Sequence, residues 1–137
     1  MNVFASERAN VDDDVEAAFE EIYARGWTDG LPVIPPTPER VARMVDYARL
    51  RPDQVIAKLA PGGGIATVEK IAINAVMAGC RPEYLPVVIA AVEALTQPQL
   101  NLLGIQTTTN PVAPFVLING PVRRQLDING GRGALGP

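Results

Sequence analysis

Cys80, in the run Gly79-Cys80-Arg81-Pro82, is the residue whose type and setting best suit chemistry. The chain has no histidine, one cysteine and a single serine, Ser6. That inventory excludes a Ser-His-Asp triad, a histidine general base and a His/Cys metal cluster. One thiol, two lysines, three tyrosines and the carboxylates remain. A thiol within one residue of a helix N-terminus, beside Arg81, is expected to be stabilised as thiolate by the dipole and the neighbouring charge. Such a thiolate needs no base, so Cys80 qualifies as a nucleophile or redox thiol despite the missing histidine. The competing reading is a small buried residue at a helix–helix corner.

Three other groups of residues could serve a site. Glu69 and Lys70 fall in the first turn of the helix expected to end at Cys80, and Lys70 shares a face with Asn74. A first-turn lysine opposes the helix dipole, and placement against local preference points to ligand contact. A solvated Glu–Lys face is the plain alternative. Gly63, Gly64 and Thr67 belong to a strand, glycine turn and helix start, an order that can cradle an anion on backbone N–H groups. The Walker and dinucleotide spacings are absent, so an ordinary glycine-rich connection competes with a nucleotide site on residues 62–67. Asn119, Gly120, Arg123, Asn129 and Gly130 form a polar end after an apolar strand, and arginine with backbone N–H groups suits a carboxylate or phosphate. A linker or subunit contact is the alternative, and in this chain the favoured one. The Asp12–Asp14 run reads as helix capping, because contiguous carboxylates on a helix diverge. No motif specifies a metal or a cofactor.

Elements must position these groups. Val11, Val15, Phe19 and Ile22 recur at helical spacing, with Asn10 as cap, and predict a helix over 10–26 closed by Gly26. Residues 27–36 carry three closely spaced prolines and form an extended arm that docks over the core outside any sheet. Thr37 caps and Pro38 starts a helix over 37–50 that buries Val41, Met44, Val45 and Ala48. Residues 53–95 read as strand (55–59), glycine turn, helix (68–79) and a second helix from Pro82 to Leu95. Residues 100–137 read as two strands, 101–109 and 114–119, a helical turn holding Arg123 and Arg124, and a glycine-rich tail.

With 137 residues, 47% of them hydrophobic, the chain can bury one core and reads as a single domain over 1–137. Its 12 basic and 15 acidic residues are mixed along the chain, leaving no basic stripe for nucleic acid. The apolar stretch 85–95 is too short to span a bilayer. The N-terminus lacks a basic segment followed by an apolar core, so it does not read as a secretory signal, and one cysteine suits a reducing cytoplasm.

Three stretches carry a resemblance: TDGLPVIPPTPERV (28–41), ATVEKIAINAVMAGCRPEYLPVV (66–88) and INGPVRRQLDINGGRGALGP (118–137). They resemble the N-terminal part of an uncharacterised family of longer bacterial proteins. The resemblance implies a gene neighbourhood shared with small proteins bearing a Cys- or selenocysteine-containing UGSC motif. It also implies that part of a site lies in a further segment or a partner chain.

The expected fold is α/β, with about four main helices on a small mixed sheet, incomplete without a partner or continuation. The leading functional expectation is a subunit or N-terminal portion of a soluble bacterial enzyme acting on a small anionic or sulfur-containing metabolite through Cys80. The alternative is a non-catalytic scaffold or interaction subunit for a thiol or selenol partner. Either reading expects a homo- or hetero-oligomer, bound to neither nucleic acid nor membrane.

Overall fold

Caps and apolar spacing place most of the elements. The computed structural model describes residues 4–11 and 13–133. In chain order these form α1 (Val15–Ala24), α2 (Pro38–Ala48), β1 (Val55–Leu59), β2 (Gly64–Thr67), α3 (Val68–Met77), α4 (Leu85–Leu95), α5 (Leu102–Thr107) and α6 (Pro121–Gln125). Single 3-10 turns precede α4 and α5, at Pro82–Tyr84 and Pro98–Leu100. The architecture is α/β: helices around one small sheet. No described helix is long and apolar enough to cross a membrane.

α3 is the centre. Val68 and Ala72 are wholly inaccessible, and Ile71, Ala75 and Val76 are buried beside them. α2 covers one side with Val41, Met44 and Val45, and α4 covers another with Leu85 and Ile89. Each fully buried Val, Leu or Met contributes about 1.5–3 kcal/mol. α2 matches its sequence pattern: Thr37 accepts from the Arg40 N–H, Pro38 opens the helix, and the expected apolar positions face inward.

The sheet is smaller than expected. β1 and β2 form one antiparallel hairpin, with Ala57 opposite Ala66 and Lys58 opposite Ile65, so it is not a mixed sheet. Ala57 and Ala66 face the core, whereas Val55, Leu59 and Ile65 are exposed. The expected strand at 101–109 is instead α5. Asn101, in the left-handed region at φ 53°, accepts from the Gly104 N–H and so caps a helix. Gly104 permits this, because a Cβ there would collide with the Asn101 amide. The expected strand at 114–119 is not formed: these residues belong to no regular element and have no ladder partner among the described residues.

Two more boundaries shift. α1 begins at Val15, capped by Asp14, whose carboxylate accepts from the Ala17 N–H at 2.9 Å; Asn10 is not the cap. The stripe expected to pack is only partly used: Ile22 is buried but Val15 is 85% exposed. Asp12 lies outside the described residues, as do residues 134–137 of the expected tail.

The proline-rich arm runs outside the sheet, as its missing N–H donors require. Its one free amide at the crossing, Ile34 N–H, donates to the Met77 carbonyl at 3.1 Å. That bond satisfies the last carbonyl of α3. Replacing Ile34 with proline removes this donor and should cost about 1 kcal/mol, measured by urea unfolding. An unchanged midpoint would show that the arm does not brace the helix.

Candidate functional site

The Cys80 corner is built by the way α3 ends. Ala78, Gly79 and Cys80 donate their N–H groups to Asn74, Val76 and Ala75 at 3.0, 2.9 and 2.9 Å. Gly79 adopts φ 77°, the left-handed conformation this C-terminal motif needs. Cys80 therefore sits at the negative end of α3, not at the positive start of the next helix. The chain then takes a single 3-10 turn before α4, and Arg81 makes no side-chain cap there. Burial pushes the half-buried Cys80 thiol above its ordinary value. This runs against the expected stabilised thiolate: desolvation is the cause of the upward shift, and Arg81 does not offset it.

Cys80 lines a small cleft of about 150 Å³ with Ile34, Arg40, Arg43, Met44, Val76, Gly79 and Pro82. At about 30 Å³ per water, that is room for roughly five waters or one small oxyanion. Arg40 donates to the Pro35 carbonyl at 2.8 Å, which fixes its guanidinium against the arm. Arg43 is exposed. The two arginines were not singled out in the sequence. Their i, i+3 spacing puts them on one face of α2, but only the packing of α2 against the α3 terminus turns that face toward a thiol.

The groups expected to act with Cys80 lie elsewhere. Glu69 and the Cys80 corner occupy opposite ends of α3, about 15 Å apart at 1.5 Å per residue. Glu69 is 4% exposed and accepts backbone N–H bonds from Ala5 (3.1 Å) and Ser6 (2.9 Å), clamping the N-terminal segment onto the core. Burial alone would raise this carboxyl. The bonds from Ser6 and Ala5, with the charge of Lys70, outweigh it and hold Glu69 below its ordinary value. Lys70 is exposed, and its carbonyl accepts from the Asn74 amide at 2.8 Å. Lys70 and Asn74 do share a face, but that face points away from the Cys80 cleft.

The glycine turn is a hairpin tip. Gly63 N–H donates to the Leu59 carbonyl at 2.8 Å, and Gly64 opens β2 opposite Leu59. β2 separates this turn from α3 by about 13 Å at 3.3 Å per residue, so turn and helix start cannot act together on an anion. Thr67 caps α3 by accepting from the Lys70 N–H at 3.3 Å. The first helical amides of α3 are taken as well, Val68 by the Gln54 carbonyl and Glu69 by the Pro52 carbonyl, both at 3.0 Å.

The polar C-terminal end closes on itself. Gly120 (φ 81°) starts α6, and Asn119 precedes it on the surface. Ile128 N–H donates to the Arg123 carbonyl at 2.9 Å, and Asn129 bonds both Gly131 N–H and the Arg132 carbonyl. The Arg123 guanidinium lies against Gly130, where any Cβ would collide with it. Tyr84 ties this end to the Cys80 corner, its hydroxyl donating to the Leu126 carbonyl at 3.3 Å. Arg123, Asn129 and Gly130 are therefore brought together, while Asn119 and Gly120 stand apart at the entrance to α6.

A second, open groove of about 1390 Å³ separates α1 from the arm and α3, with Phe4, Phe19, Trp27, Ile73 and Met77 on its walls. It is larger than a typical ligand pocket and is the loosely packed seam beneath α1. Comparison of the chain with protein-family models, curated proteins and solved structures finds no match.

The Glu69 clamp predicts a pH dependence with a defined sign. A carboxyl held below its unfolded value stabilises the fold at neutral pH, and that contribution is lost as pH falls through the native value. Exchange protection of the Ala5 and Ser6 amides should therefore be lost as pH falls through that lowered native value, below the ordinary glutamate range. Glu69→Ala, which removes both acceptors, should abolish it at neutral pH and cost roughly 1–3 kcal/mol. Protection that persists into acid would mean that these amides are held by something else.

Proposed function

We propose that this chain is a non-catalytic interaction subunit that builds a larger assembly. One observation carries the reading. Residues 111–117 belong to no helix or strand and are exposed throughout, with Phe115 71% and Leu117 72% accessible. The sequence has no charged residue between Glu93 and Arg123. A contiguous apolar stretch without charge has the composition of a protein–protein contact rather than of a solvated surface. The half-buried setting of Cys80, which raises its thiol, weakens the support for a nucleophile. The resemblance to the bacterial family suggests a thiol- or selenol-bearing protein among the partners.

The double variant Phe115→Asp with Leu117→Asp tests this reading. Both side chains are exposed, so thermal stability should change by no more than about 0.5 kcal/mol each. Association, followed by sedimentation velocity, should be lost. A lowered melting temperature with unchanged association would show that the segment packs within its own chain.

A second reading has its own support in the cleft that Cys80 shares with Arg40 and Arg43. Two arginines lining one cleft with a thiol suit a small anionic or sulfur-bearing metabolite, with Cys80 as redox thiol or nucleophile. Iodoacetamide labelling against pH weighs the two. The interaction reading expects a midpoint above the usual thiol value of about 8.5, unmoved by an anion in the cleft. A midpoint well below that value, together with protection by sulfate, would favour the enzyme.

A further inference from the structure

We infer that residues 111–118 of one chain add as a third strand to the free edge of the β1–β2 hairpin in a second copy. This rests on the interaction reading and names its partner. The hairpin has two strands only, so each keeps an edge without a ladder neighbour among the described residues. A two-stranded hairpin is marginal by itself, and open edges invite added strands. Val55 and Ile65 are exposed on its outer face, and Leu59 is exposed at its tip. Lys58 is its one charged residue.

The segment is the complementary half. Among the described residues, Val112 N–H is its one amide with a bond, to Asn110 at 2.9 Å; the amides at 113 and 115–118 make none within the chain. Pro111 and Pro114 have no N–H, which confines such a strand to a sheet edge, the position proposed. Phe115 and Leu117 alternate with Val116 and Ile118, so an apolar side chain meets the hairpin surface in either register.

Each copy thus holds a segment with unpaired amides and an unpaired edge at once, and the two form no ladder within the chain. A two-fold exchange between copies satisfies both. Eight extended residues span about 26 Å. β1 has five residues and β2 four, so each exchanged segment pairs over four to five of its eight residues.

Sedimentation equilibrium of the full chain at micromolar concentration is compared with two variants. One carries Phe115→Asp and Leu117→Asp; the other carries Val55→Asp and Ile65→Asp on the hairpin. The wild type should be a dimer, and both variants monomers with unaltered far-UV spectra. Amides 116–118 should be protected from exchange in the wild type and not in the hairpin variant. A hairpin variant that stays dimeric overturns the inference while the interaction reading stands. A wild-type monomer whose segment binds a different chain does the same. A wild-type monomer with no partner for the segment overturns both. Should the hairpin variant lose its spectrum, wild-type exchange decides: unprotected amides 116–118 at dimeric concentration overturn the inference.

Discussion

The structure depends on a buried helix whose polar ends are satisfied by distant parts of the chain. A helix leaves its first amides and last carbonyls unpaired, and in a core each such group costs free energy if left without a partner. α3 is that helix here. The turn at 52–54 and Thr67 take its first amides, while residues 78–80 and the proline-rich arm take its last four carbonyls. Every element that meets α3 is thereby placed. The hairpin is held at one end, the arm at the other, and α2 and α4 close the apolar sides.

This arrangement separates the groups that carry chemistry. Glu69 stays at the amide-rich end, where a carboxylate is favoured by the dipole and by two further N–H donors. Cys80 is held just past the carbonyl-rich end, half-buried, and burial raises its thiol. A residue that reads as a thiolate beside a helix start becomes a muted thiol once packing removes it from water. The arginines beside it belong to α2 and reach the cleft through packing alone.

Order falls away with distance from α3. α1 buries Ile22 and leaves much of its apolar stripe over an open seam. Between α5 and α6 the chain has no regular structure and is largely exposed, and Tyr84 anchors it again at Leu126. The hairpin shows the same incompleteness, with a covered inner face and an uncovered outer one. Core satisfaction and surface incompleteness have one origin: a short helix can saturate its own ends and two flanks, but it cannot cover a peripheral strand as well.

Local features of the sequence determined the helices α2 and α3, the proline arm's exclusion from the sheet, and the turn after Gly120. Their signals lie within a few residues: a capping threonine, a proline's missing donor, apolar positions at helical spacing. α5 was misread because an apolar run such as 102–105 suits strand or helix alike, and the deciding bond, Asn101 to Gly104, is a cap in left-handed backbone. Tertiary structure alone decided what the candidate groups do. Glu69 became a clamp because the N-terminal segment returns to it across the chain, and the glycine turn became a hairpin tip because β2 pairs with β1. Cys80 acquired Arg40 and Arg43 as neighbours and lost its expected activation for the same reason. Desolvation and long-range hydrogen bonds arise between residues far apart in sequence, and spacing along one chain does not contain them.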